Sequence, residues 1–486
     1  MENVRLEPQK VFDFFLQLCE IPHGSKNEAQ ISQFLQNFGK SLGLETIADE
    51  VGNVLIKKPA TPGYENRKTI ILQGHMDMVC DKRPDVEHDF TKDAIQTYID
   101  GEWLKAKGTT LGADNGIGVA AGMAVLADTT MQHGPINCLF TIDEETGLTG
   151  AEKLSPDFLQ GEILINLDSE DEGEIFIGCA GGVCNYATFK HLWVPVGADM
   201  FYMKLDIAGL TGGHSGDDID KGRANANKLL NRFLCRVADK YEFYLCDISG
   251  GSLHNAIPRD ASAVIAVPSA DKESVRVDFN IFAAEVQDEY AATEPNMRFT
   301  LQSTEPTGRC IDTDVARGLL KSVHAVFNGV FAMSQDMPGL VETSSNLASI
   351  KRTSDNTLKI TASQRSSILS ARDNVSATVR SAFELGGATV ETSGGYPGWK
   401  PNVKSEILKV ACDTYKEIFG GEAKIRAIHA GLECGLFLEK APHLDMISFG
   451  PTMRGVHSPD ERLNIPSTER WWRHLVAVLE NAPVKQ

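Results

Sequence analysis

The chain has 486 residues, 42% of them hydrophobic and 23% charged, an ordinary globular make-up too long for one core, so two or more domains are expected. The formal net charge of −19, with no stretch basic enough to neutralise a run of phosphates, excludes nucleic acid as the expected partner, and no apolar run reaches the length of a membrane span. The opening MENVRLEPQK lacks a basic-then-apolar leader and the ten cysteines are scattered without a C-x-x-C pair, so a cytoplasmic, reducing setting is expected, without disulfides or zinc fingers.

Along the chain, Ser25 and Glu28 stand at capping-box spacing, and Ile31, Phe34, Leu35, Phe38 and Leu42 recur at helical intervals until Gly43, which predicts an amphipathic helix. The runs KTIILQ, INCLFTI and GEILINL read as strands and GIGVAAGMAVLAD as a helix between them, the alternation of an α/β sheet with helices on its faces. After about residue 185 the text becomes strand-rich (DMFYMKLDIAGL, SAVIAVPSA), with helical stretches such as ANANKLLNRFLCRVAD. A Gly/Pro cluster at Gly394 to Pro401 marks a hinge or linker, after which SEILKVACDTYKEIF and LDMISFG return to the opening style. The expected architecture is therefore an α/β domain from residues 1–186 and 399–486, its sheet mixed and largely parallel and flanked by helices, interrupted by an inserted α+β domain at 187–398.

Four predicted strands end on metal-compatible side chains. TIILQGHMD ends on His75 and Asp77, CLFTIDEETG on Asp143, Glu144 and Glu145, ILINLDSE on Asp168 and Glu170, and DMISFGPTMRGVH runs on to His457. In open α/β sheets the carboxyl edge is where ligand crevices form, so these groups can converge although distant in sequence. LGADNGIG adds Asp114 at a presumed helix start. Taken singly, Asp114, Asp143 and Asp168 read as turn or N-cap residues, and His457 as a surface or satisfied core histidine. His75 and Asp77 are harder to dismiss, because residues i and i+2 of an extended chain face the same way, so the carboxylate can orient a metal-ligating ring. Adjacent carboxylates in DEETG would repel unless a cation or a proton offset them.

GHMDMV, GADNGIG, DEETG, NLDSE, GGHSG and GVHSPDE, in this order, resemble the motifs of the di-zinc metallopeptidases that include aminoacylases, glutamate carboxypeptidases and dipeptidases. The length, HNAIPR, SQRSS and HAGLECG most resemble the bacterial dipeptidase branch that cleaves Xaa-His dipeptides such as carnosine. The resemblance implies two zinc ions per subunit bridged by Asp114, one completed by His75 and Asp168 and the other by Glu145 and His457; manganese or cobalt suits the same donors. It also implies a bridging water made acidic, Glu144 as the general base, and Asp77 as the partner that orients His75. The inserted domain becomes a lid and dimerisation domain of a homodimer, with His214 stabilising the oxyanion of the partner subunit's site. Asn255, Arg365 and Gly431 are implied to hold the free carboxylate of a small peptide substrate, and His214 belongs to the same substrate-binding set. Without the resemblance, His214 would read as a loop histidine and Arg365 as a surface cation. Other amide hydrolases of the family (a tripeptidase, an N-acyl amino acid deacylase, a carboxypeptidase) share the metal set, and a catalytically silent metal-binding protein would have no use for Glu144 and Asp77.

Overall fold

Ile70–His75, Ile136–Thr141 and Ile163–Asn166 are buried along their whole length, as strands covered on both faces must be, rather than alternating in and out. In the computed structural model, which describes residues 6–485, they pair in parallel with one another and with Asp445–Ser448, in the order Ile136–Thr141, Ile70–His75, Ile163–Asn166, Asp445–Ser448. Val54–Lys58 and Glu45–Ala48 extend one side antiparallel, and Glu174–Cys179 joins the other side antiparallel. The sheet is mixed, with a parallel centre whose four carboxyl ends lie at one edge. The first five residues of the opening stretch read for a leader fall outside the described residues.

The helix Ala113–Ala127 is buried on every side, as its run of Ala, Gly and Val permits. It packs on Ile70–His75 and Ile136–Thr141 and on the helix Gln9–Cys19, which contributes Val11, Phe12, Phe15 and Leu18. The predicted helix after Ser25 is present as Ala29–Ser41, but the capping box is not formed. Ser25 Oγ instead donates to Asp77 Oδ2 at 2.8 Å. Glu28 Oε1 accepts from the backbone N–H of Lys26 at 2.7 Å and of Asp143 at 3.1 Å. Ser25 thus turns to a buried carboxylate at a strand end, a stronger partner than a helix terminus, and Glu28 accepts backbone N–H groups from the preceding turn and from the Asp143 strand end.

Internal contacts divide the chain into one unit reaching to Gly178 and resuming over Pro401–Ala427 and from Leu432, and a second of Cys179–Lys400 with Ile428–Gly431. The first crossing precedes the strand Gly181–Lys190, which a boundary at 186 would have cut through its ladder. The second unit carries a nine-stranded sheet with antiparallel neighbours, and the helices Ala226–Lys240, Lys272–Glu289, Thr313–Ala325 and Leu369–Leu385 share its core. The Gly/Pro cluster is more ordered than a linker. Gly394 and Gly395 lie in the strand Thr389–Tyr396, Trp399 exchanges both backbone hydrogen bonds with Cys179, and a Cβ on Gly398 would lie 2.7 Å from the backbone of Gly181. Glycine is needed there because two chain segments touch. Among the described residues no helix is long and apolar enough to cross a membrane.

Candidate active site

His75, Asp114, Glu145, Asp168 and His457 converge at the carboxyl edge of the first unit's sheet. His75 ends the central strand, and its Nδ1 lies 3.0 Å from the carbonyl oxygen of Asp77. A carbonyl only accepts, so Nδ1 carries the proton and Nε2 points outward. Nε2 lies 3.2 Å from Asp114 Oδ1 and 3.6 Å from Asp168 Oδ1. The other oxygen of Asp114, Oδ2, lies 3.0 Å from His457 Nε2, which is also 3.0 Å from Glu145 Oε2. Asp114 thus presents one oxygen to each of two imidazole–carboxylate sets. The second oxygen of Glu145 is buried and has no hydrogen-bond partner among the described residues.

Local backbone makes this possible. Asp114 lies in the first turn of Ala113–Ala127 with extended dihedrals (φ −82°, ψ 108°). Its loop is held by Glu461, whose two oxygens accept the backbone N–H groups of Leu111, Gly112, Ala113 and Asp114 at 2.7–3.2 Å. The next residue, Asn115, donates to the carbonyl of Leu167 at 2.8 Å and so ties the Asp114 turn to the Asp168 turn. Gly74 and Gly118 make room for it, since a Cβ at either would lie 2.3 and 2.5 Å from Asn115 Oδ1. His457 sits in the left-handed region at φ 60°, in the turn between the strands Met453–Arg454 and Arg462–Asn464.

Asp77 does more than the expected orienting of His75. Its carboxylate is 3.4 Å from His75 Nδ1, farther than its own carbonyl oxygen. It also accepts the N–H groups of Glu144 at 3.0 Å and Glu145 at 3.3 Å. The carboxylate therefore holds the start of the short helix Glu144–Gly147 beside the histidine, while the carbonyl of the same residue fixes the ring. Asp143, by contrast, is a turn residue: its oxygens take the hydroxyls of Thr146 and Thr149. The trio Glu28, Asp77 and Asp143 is buried and close, but its oxygens are met by N–H and O–H donors.

With protons as the only cations, the electrostatics of the site are lopsided. Asp114 and Glu145 push His457 up to about 11. Burial opposes charge on His75, but Asp168, Asp114 and Asp77 hold it well above its ordinary value. Burial likewise opposes charge on Asp114, and His457 and His75 hold it far below the carboxylate range. Asp168 is pushed up to about 6 by burial, with Asp114 adding to the push, and Glu170 to about 7 by burial together with Asp114 and Asp168. Glu144 is raised well above its ordinary value by burial, then by Asp168, Glu433 and Glu145. Such a concentration of carboxylates around two outward ring nitrogens calls for cations. Imidazole nitrogen and carboxylate oxygen are the donors divalent metal ions take.

Glu461 and Glu433 escaped the sequence reading, although both lie in or beside motifs that were singled out. Glu433 Oε2 accepts from Gln73 Nε2 at 2.6 Å and Thr141 Oγ1 at 2.9 Å, and Asn166 Nδ2 donates to Gln73 Oε1 at 2.6 Å. Gln73 stands two residues before His75 on the same strand, and Asn166 ends its strand two residues before Asp168. Burial pushes Glu433 up to about 8, with Asp168 and Asp77 adding to it.

His214, Asn255, Arg365 and Gly431 all belong to the second unit. His214 sits on a two-residue strand paired with Ala256–Ile257; its Nδ1 is 3.2 Å from Asp217 Oδ2 and its Nε2 faces Arg365 Nη2 at 3.4 Å. Arg365 is only 8% exposed, not the surface cation the residue alone suggested. Its partners are Ser215 Oγ at 3.4 Å, Tyr396 Oη at 3.1 Å and His214, and it forms no ion pair among the described residues. A buried guanidinium without a carboxylate is costly unless an anion joins it. His429, also missed, lies in the same surroundings: its Nε2 is 2.7 Å from Ser344 Oγ, and burial, Arg365 and His214 push it down to about 3.

Two imidazole–carboxylate sets sharing one carboxylate at the carboxyl edge of an α/β sheet form a candidate centre suited to divalent metal ions. The chain belongs to peptidase family M20/M25/M40, whose family model matches residues 71–481. It is 44% identical over 487 aligned residues, the whole of both chains, to the cytosol non-specific dipeptidase of Escherichia coli (strain K12). The crystal structure of aminoacylhistidine dipeptidase from Vibrio alginolyticus is 44% identical, superposes with a TM-score of 0.94, and is matched over 100% of this chain and 99% of that one. Human carnosine dipeptidase 1 shares the fold, with a TM-score of 0.52 at 15% identity over 98% of this chain and 96% of that one. The family read from the motifs is thus borne out.

Proposed function

We propose that this chain is a cytoplasmic metallo-dipeptidase that hydrolyses dipeptides with a free carboxyl terminus, Xaa-His dipeptides such as carnosine among them, as a homodimer with two zinc ions per subunit. The observation that carries the reading is the division of Asp114, one oxygen towards His75 and Asp168, the other towards His457 and Glu145. Full-length identity to two relatives named as dipeptidases supports the substrate class.

His75 and Asp168 would hold one ion, Glu145 and His457 the other, and Asp114 both. When bound, the ions supply polarisation of the scissile carbonyl and acidification of the attacking water. Glu144, on the helix turn that carries Glu145, takes the proton from that water and returns it to the leaving amine. Asp77 holds the N–H groups of both glutamates and so fixes base and ligand together. Arg365 binds the substrate carboxylate, with Asn255 and Gly431 beside it. His214 donates to the oxyanion in the partner subunit's site.

The test is hydrolysis of carnosine, an unrelated dipeptide, an N-acetyl amino acid and a tripeptide by the zinc-loaded protein, with a chelated sample beside it. Chelator-sensitive cleavage of the two dipeptides alone is expected. Cleavage of the acetylated or longer substrate would retain the metal site and overturn the dipeptidase assignment; inertness towards all four with metal bound would overturn the hydrolase reading itself.

A further inference from the structure

One cross-strand row in the second unit contains more than the residues that motifs pointed to. Ser344 pairs with Arg365, Arg365 with Gly182, and Gly182 with Tyr396 in successive ladders. Tyr396 is therefore two strands from Arg365, with Gly182 between them, a separation of roughly 9–10 Å between backbones. Its Oη nevertheless meets Arg365 Nη1 at 3.1 Å. The ring does so by lying across Gly182, where a Cβ would be 2.7 Å from Cε1, Cζ and Oη. On its other side is Gly431, where a Cβ would be 2.8 Å from Cε2 and 3.2 Å from Oη. Neither glycine has a left-handed φ, so space, and not backbone conformation, is what requires glycine at both positions.

Arg365 donates to Tyr396, so the tyrosine's own proton points elsewhere, and it has no acceptor among the described residues. Of the five N–H donors of a guanidinium, one reaches Ser215 and one Tyr396, and a third lies beside His214 Nε2, so at least two have no partner among the described residues. The hydroxyl proton and these N–H groups form a donor cluster about one buried cation. A carboxylate, planar and with paired acceptors, is the ligand such a cluster fits.

We propose that Tyr396 is a specificity residue of this enzyme, donating its hydroxyl proton to the substrate carboxylate that Arg365 binds, and that Gly182 and Gly431 are glycines to admit its ring. This deepens the assignment of Arg365 and rests on it. Gly431 then serves the site by being small, which explains why a glycine can belong to a set of carboxylate-holding residues. Burial raises Tyr396 above its ordinary value, which keeps the proton on the hydroxyl at neutral pH.

Tyr396→Phe keeps the ring between the two glycines and deletes only the donor. The measurements are KM and kcat for a dipeptide and the inhibition constant of its carboxyl-terminal amide, in wild type and variant. The variant should raise the dipeptide KM about tenfold, the size of a lost hydrogen bond to a charged group, with a much smaller fall in kcat. The preference for free acid over amide should drop by the same factor. An unchanged KM and preference would overturn the role of Tyr396 while leaving Arg365 intact. A wild type that cleaves dipeptides yet binds acid and amide alike would overturn the carboxylate reading itself. Gly431→Ala should raise KM through displacement of the ring, and add nothing in a Tyr396→Ala background. An equal further rise there would overturn the account of the glycine.

Discussion

Asp77→Ala removes a carboxylate that accepts the N–H groups of Glu144 and Glu145 and the hydroxyl of Ser25, beside the ring of His75. Hydrogen bonds to an ionised acceptor contribute about 1.5–3 kcal/mol each, so the two backbone bonds alone restrain the turn carrying base and ligand by roughly 3–6 kcal/mol. Much of that restraint is positional, and loss of such a supporting group lowers metal affinity or activity by about 10–100-fold. Asp77→Asn is the graded comparison. Its amide oxygen can still accept from Glu144, while its NH2 faces the Glu145 N–H donor; Ser25, whose hydroxyl can donate or accept, adapts. The expected order of kcat/KM is wild type, then Asn, then Ala, with zinc affinity, from competition with a chromogenic chelator, falling in the same order. An alanine variant with wild-type turnover and wild-type zinc affinity would refute the reasoning.

Glu144→Gln should retain both metal ions by elemental analysis and lose at least about a hundredfold in kcat, the lower range for a deleted general base; loss of metal instead would exchange the roles of Glu144 and Glu145. Glu461→Gln leaves an acceptor for only one of the two N–H pairs that Glu461 now serves. At about 1–3 kcal/mol for each orphaned buried N–H, the variant should lose roughly 2–6 kcal/mol in denaturant unfolding, and an unchanged midpoint would contradict this. His429 is depressed to about 3 in the folded chain against about 6.5 unfolded. Its contribution is complete above pH 6.5 and is lost as pH falls towards 3, because the unfolded chain takes up a proton that the native one refuses, at about 1.4 kcal/mol per pH unit. His429→Gln should therefore flatten the fall in unfolding free energy between pH 6 and 4; parallel curves for variant and wild type would exclude His429 as its source.

What could be read from the sequence was whatever local pattern determines. Apolar runs ending on His75, Glu145 and Asp168 gave the strands and their shared edge, because a strand buried on both faces must be apolar until it leaves the sheet. The support for those groups was far less legible. Glu461 acts on backbone N–H groups some 350 residues away, and no side-chain spacing announces a carboxylate whose partners are main chain. Ser25 and Glu28 fit a capping box in spacing alone: Ser25 meets the Asp77 carboxylate instead, and Glu28 takes the N–H groups of Lys26 and Asp143. Arg365 looked like a surface cation because nothing local reveals burial in a sheet whose neighbouring strands come from residues 181–190 and 341–354. Tyr396 gave no signal at all, since its meaning depends on two glycines, at 182 and 431, on either side of its ring.

Zinc titration of the chelator-stripped protein, with dipeptide hydrolysis followed at each addition, tests the proposed two-ion site most directly. Activity should be absent at the start, rise to a plateau at two equivalents per chain, and be lost in Asp114→Asn, whose side chain can no longer offer a charged oxygen to each set. Full activity at one equivalent, or activity that survives chelation or the Asp114 substitution, would contradict it.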